Sequence, residues 1–151
     1  MATSIKMIWR MVGLLLFLIM LMVIPAILFA EECPQPRKTS TAPKEFLTKK
    51  NPLPLNEKNL KSAEKLFQEK ATPIACKSCH GTTGNGAAES DFESTPSPRN
   101  FTCTQTMQKL PDGQLFWIIK NGSKNTSMFA FSDLSDHQIW QLIHYIRAFA
   151  K

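Results

Sequence analysis

Hydrophobic residues are distributed in three distinct ways along this chain. Met11 to Ala30 is an unbroken apolar run without a charge, Cys33 to Leu55 scatters a few apolar residues among prolines and polar side chains, and from Asn56 onward they recur three and four positions apart. The last pattern is helical. Asn56 is positioned to cap a helix whose Leu60, Ala63, Leu66 and Phe67 form one stripe ending near Thr72-Pro73. Asp112 is positioned to cap a second, Gly113 to Asn121, carrying Leu115, Phe116, Ile118 and Ile119 and stopped by Gly122. In the third, Ser135 with Gln138 makes a capping box and Leu134 against Ile139 a hydrophobic staple. Its Ile139, Leu142, Ile143, Ile146, Phe149 and Ala150 fall on an arc of about 120°, and His137 and His144, off that arc, read as exposed helix histidines. No segment alternates with the period of a half-buried strand, so the predicted class is all-α.

The three patterns divide the chain into residues 1–30, 31–55 and 56–151. Lys6 and Arg10 before the apolar run and Glu31-Glu32 after it give the order of a signal peptide or an N-terminal membrane anchor. The length of the run favours an anchor. Either way, the chain beyond Ala30 is expected outside the cytoplasm, in the periplasm of a bacterial cell. Glu31-Glu32 puts charge where a lipidated Cys33 would need small residues. Five of the ten prolines lie between Cys33 and Leu55, and so little apolar surface predicts a Pro-rich linker acting as a tether.

At 151 residues the chain has room for one small domain and an appendage, which excludes a multi-domain enzyme. Beyond Ala30 there are 16 basic and 12 acidic residues, a net +4, and the bases form no patch interleaved with aromatic readers. A nucleic-acid partner is set aside.

The chemistry is concentrated in Cys76-Lys77-Ser78-Cys79-His80, the C-x-x-C-H pattern of covalent haem attachment. On a helical turn Cys79 and His80 lie three and four residues beyond Cys76, so two thiols and an imidazole project within one arc. Zinc would need four ligands, and apart from this cluster the chain offers only Cys33, Cys103, His137 and His144, with no second paired motif. A thioredoxin-like dithiol lacks its βαβ context, and a structural disulfide leaves His80 without a role. The expected cofactor is one covalent haem c, with His80 as one metal ligand. Of seven methionines, only Met107 and Met128 lie in the domain. Met128 follows the helix-ending Gly122 in a Ser/Asn/Thr loop and is the expected second ligand; Met107, in a polar stretch before Pro111, is read as packing.

From about residue 56 to the C-terminus the chain resembles small monohaem c-type cytochromes with histidine and methionine axial ligands. The matching segments are Cys76–Gly81, Pro98-Arg99-Asn100-Phe101, Asp112–Gly122, Met128-Phe129-Ala130-Phe131, and the closing Ile139-Trp140 to Tyr145-Ile146-Arg147. The family places its methionine where Met128 stands, usually followed by proline, whereas here Phe129 follows. The resemblance implies that His80 donates its other ring N–H to the Pro98 carbonyl. It gives Arg99 a haem propionate as partner and Trp117 a hydrogen bond nearby, against the alternatives of a solvent-exposed cation and a core aromatic. Gly81, Gly84 and Gly86 would let the backbone turn after the motif.

With both axial positions filled, no site is open for substrate, and the expected function is electron transfer rather than enzymatic turnover. Partners would be a redox donor and acceptor: a respiratory complex, a terminal oxidase or a reductase. Two other roles stay open, a fixed haem subunit of a membrane redox complex, and a haem sensor or minor peroxidase should Met128 dissociate. Leu66, Phe67, Phe116, Ile119, Ile143 and Ile146 are expected to pack against the haem or each other, and the apoprotein to fold poorly. Phe129 or Phe131 is a candidate docking patch, with simple burial of both as the alternative. Cys33 and Cys103 are either joined or free thiols.

Overall fold

The computed structural model describes residues 33–35, 39–89, 91–92 and 94–150; the apolar run falls outside these. Among the described residues there is no strand, and no helix is long and apolar enough to cross a membrane. The helices are α1 (Lys44–Leu47), α2 (Glu57–Lys65), α3 (Lys77–His80), α4 (Thr104–Met107), α5 (Asp112–Asn121) and α6 (Asp136–Phe149). The all-α class is as the periodicity predicts.

Asn56 caps α2 by accepting from Asn59 N at 2.9 Å. The helix continues as a π-helical stretch, Leu66–Lys70, closed by Ala71 N donating to Leu66 O at 3.0 Å. The wider turn brings Leu66, Phe67 and Ala71 into the core together. Ser135 and Gln138 complete the reciprocal capping box of α6, and Ile139, Leu142, Ile143 and Ile146 are buried as their arc requires. Helices α2 and α6 pack on each other, with the Gln141 amide donating to Asn59 Oδ1 at 3.0 Å as a buried polar pin between them.

Three sequence expectations are corrected. The first concerns the linker, whose described part is an arm folded onto the domain. Cys33 is bonded to Cys103, Phe46 stacks on Phe116 with ring centroids 6.1 Å apart, and Ala42 is buried with its N–H donating to Gln114 Oε1 at 2.8 Å. Composition counts only the apolar surface a segment brings; this arm uses surface that the domain supplies. Second, Asp112 does not cap α5, because Pro111 occupies the cap position and the carboxylate is taken by Arg147 Nε at 3.0 Å and Asn51 N at 3.2 Å. The Arg147 guanidinium, donating through both Nε and Nη2 to Oδ1, draws the carboxylate away from the helix start. Third, His144 is partly buried, its Nε2 donating to Leu53 O at 2.9 Å, while His137 is exposed as expected. The arm covers a face that the helical wheel alone left to solvent.

Candidate haem site

The C-x-x-C-H segment forms one helical turn, with Cys79 N and His80 N donating to Cys76 O at 3.3 and 2.9 Å. Gly81, Gly84 and Gly86 follow, all at positive φ, and carry the chain away from the turn. Cys76 and Cys79 are free thiols facing the same cavity as His80. Burial in the cavity wall pushes the Cys76 thiol up to about 12, with the Cys79 sulfur adding to the shift and a backbone hydrogen bond opposing it.

The His80 ring is fixed by two contacts. Phe101 stacks on it, centroids 4.4 Å apart and planes 20° from parallel, and Nδ1 lies 3.0 Å from Arg99 O. A carbonyl accepts only, so the proton sits on Nδ1 and Nε2 carries the lone pair that could bind a metal. This corrects the expected partner. The Pro98 carbonyl instead accepts from Gln35 Nε2 at 3.0 Å, because alternate carbonyls of an extended segment face opposite sides.

Met128 lines the cavity together with His80. Its loop is held without the proline the resemblance leads one to expect. Ser123 N donates to Met128 O at 2.8 Å, Met128 N to Thr126 Oγ1 at 3.1 Å, and Phe131 N to Ile119 O at 3.0 Å. Gly122 permits this return. Its φ is +74°, and a Cβ there would stand 2.8 Å from Met128 O, Phe129 C and Ala130 N. The other thioether of the domain, Met107, is 1% exposed and lies in the packed core outside the cavity, as read from the sequence.

The cavity has two lobes, open at the mouth, that share His80, Phe101, Ile119, Met128 and Ile146. Phe67, Ile74, Phe131 and Leu142 wall one lobe; Leu110, Leu115 and Ile118 wall the other, with Arg99, 9% exposed, at its polar end. Two thiols, an imidazole with its lone pair fixed and a thioether therefore converge on one apolar space, and this donor set fits a c-type haem. Trp117 does not reach the cavity. It is partly buried, and neighbouring Ile118 and Ile119 line the lobes in its place. Phe129 is 43% exposed, whereas Phe131, its ring 5.3 Å away, is buried. The sequence reading gave Phe101 no role and missed Gln35 altogether. Phe101 follows the Pro98-Arg99-Asn100 segment and was within reach of inference; Gln35 carries no local signal.

The fold is that of a cytochrome c domain, and known proteins agree with it. A chain of the reducing HAO-like protein complex of Kuenenia stuttgartiensis superposes with a TM-score of 0.52 at 26% identity, over 66% of this chain and 47% of that one. The present chain thus spans about half the length of that relative. No curated protein matches. Residues 58–146, more than half of the sequence and including Cys76, Cys79, His80 and Met128, match the family described as cytochrome c oxidase, cbb3-type, subunit III, and the chain belongs to that family of c-type cytochromes.

Proposed function

We propose that this protein is an extracytoplasmic electron-transfer protein of a respiratory chain that holds one haem c, attached through Cys76 and Cys79 and ligated by His80 and Met128. The observation that carries the reading is the convergence of all four side chains on one apolar cavity. When bound, the haem supplies a one-electron Fe(III)/Fe(II) couple. His80 presents Nε2, with Arg99 O holding its tautomer and Phe101 its plane. Met128 would supply a soft sulfur that favours the ferrous state, and together with His80 it would leave the iron no open position for a substrate. The hydrocarbon walls exclude water and limit the reorganisation that accompanies each electron. Arg99 offers its guanidinium to a propionate from the second lobe.

Among the open roles, the structure favours a fixed haem subunit over a carrier swinging on a tether. Cys33, three residues beyond the apolar run, is bonded to Cys103, and residues 39–55 lie along the domain, so the described arm offers no loose linker. The family itself is named for an oxidase subunit. Retention of Met11–Ala30 as an anchor completes this reading. A visible and near-infrared spectrum with redox titration tests the site: covalent haem, a sulfur-to-iron band and only slow carbon monoxide binding by the reduced protein are expected. Ready carbon monoxide binding would point to the sensor or peroxidase role, and zinc in place of iron would end the proposal.

A further inference from the structure

Resting on the haem reading above, we infer that Gln35 is a positioning residue for the His80 ligand, anchored for that task by the Cys33–Cys103 disulfide. The side-chain amide of Gln35 grips three consecutive residues. Its Nε2 donates to Pro98 O at 3.0 Å, while its Oε1 accepts from Asn100 N at 2.9 Å and from Arg99 Nη1 at 3.3 Å. In an extended segment the carbonyl of one residue and the N–H two residues later point to the same side, and the carbonyl between them points to the other. Gln35 therefore occupies the position of a neighbouring strand's peptide group on one side of residues 98–100. On the opposite side Arg99 O meets His80 Nδ1 at 3.0 Å. Holding Pro98 and Asn100 fixes the peptide plane that orients the imidazole.

The grip has to come from a distant residue, because this stretch belongs to no helix and has no strand partner. Gln35 lies 63 residues from Pro98 in sequence, and a residue in a proline-rich segment would lose much freedom by settling there. The disulfide two residues before it removes most of that cost by closing a loop across a sequence separation of 70 residues. Its second cysteine, Cys103, lies just beyond the gripped segment. A firm Nδ1–H···O bond raises the basicity of a ligating histidine and favours the ferric state. Loosening it moves the potential upward.

The test uses the full-length, haem-loaded protein. Mass and spectrum first establish haem attachment in the wild type, and a chain without haem overturns the proposed function itself. With haem in place, Gln35→Leu is expected to raise the midpoint potential and to speed exchange of the His80 Nδ1 proton in the reduced state. Gln35→Asn, one methylene too short to span both bonds, shifts both in the same direction by less, and it serves as the test should Gln35→Leu fail to mature. Phe46→Ala loosens the same arm where it stacks on Phe116, away from the cavity, and leaves potential and exchange unchanged. Haem-loaded Gln35 variants with wild-type potential and exchange overturn the inference, as does a Phe46→Ala shift of equal size.

Discussion

The two walls of the cavity that carry His80 and Met128 are built on different principles. On the His80 side, a helical turn, a stacked phenylalanine, a backbone carbonyl and a disulfide-anchored glutamine all bear on one ring. On the Met128 side, a loop from Ser123 to Ala130 is held by its own short-range bonds, with Ser127, Phe129 and Ala130 exposed. The walls touch where Thr95 N donates to Ser127 Oγ at 3.2 Å. An imidazole must keep one tautomer and one plane to serve as a ligand, and that needs several elements. A thioether has no proton to place, and a flexible side chain can find the metal if its loop is brought close.

The largest effect is expected from removing the covalent anchor on the His80 side. A Cys76→Ala/Cys79→Ala variant leaves both lobes without their filling, and a domain of this size loses the apolar mass that binds Phe67, Ile119 and Ile146 into one core. No cooperative unfolding transition should be seen by calorimetry or circular dichroism. A sharp transition would show that the helices hold the cavity open unaided.

Titration of Cys76 gives the next largest contrast. In the closed cavity burial lifts its thiol from 9.0 to about 12, which lowers the thiolate fraction at pH 8 about a thousandfold. The sign is that of a buried acid: the closed fold keeps its stability below pH 9 and loses it as the pH rises toward 12. Because the haem-free chain is expected to be open, its Cys76 should alkylate with a midpoint near 9. A midpoint near 12 would mean that the pocket forms before the haem arrives.

How legible each wall was in the sequence follows from the range of its contacts. The C-x-x-C-H turn, the Ser135 capping box and the α6 arc are set by residues three and four apart, so the chain displays them directly. Met128 emerged because the domain offers just two thioethers. What stayed hidden joins residues far apart: Gln35 to Pro98, Ala42 to Gln114 across 72 positions, and Leu53 to His144 across 91. Each lies in the segment that composition alone assigned to a tether. Polar and proline-rich residues look unfoldable by themselves, and the disulfide that changes their entropy was one of two equally open states of Cys33 and Cys103. The Arg99-for-Pro98 exchange was hidden for a smaller reason. Which carbonyl faces a ring depends on a rotation of the backbone that residue identity does not encode.

On the Met128 side, Gly122→Ala should act at intermediate strength. Positive φ and three backbone atoms at 2.8 Å leave no room for a methyl group, so the loop must move or bear a strain of about 1–3 kcal/mol. The expected readout is a lower unfolding temperature together with partial loss of the sulfur-to-iron band, while haem attachment persists because the Cys76–His80 turn is untouched. Equal loss of attached haem would show that the two walls are not independent.

The smallest effect is expected at Thr126, and it isolates what holds the methionine loop. The hydroxyl donates to Ser123 O at 2.8 Å and accepts from Met128 N at 3.1 Å, linking both ends of the turn through one oxygen. Thr126→Val keeps the shape and removes both bonds. A partly buried N–H without its partner costs about 1 kcal/mol, some of it recovered by water at this half-exposed position. Applied to the equilibrium between ligated and detached Met128, that cost makes the detached form about fivefold more populated. Carbon monoxide binding to the reduced protein, slow in the wild type, should therefore quicken several-fold with little change in unfolding temperature. Thr126→Ser should restore the slow rate, because it returns the oxygen without the methyl group. If Thr126→Val binds carbon monoxide no faster than wild type, the loop is held by Gly122 and the Ser123–Met128 bond alone, and the hydroxyl is incidental to how the sulfur is kept in place.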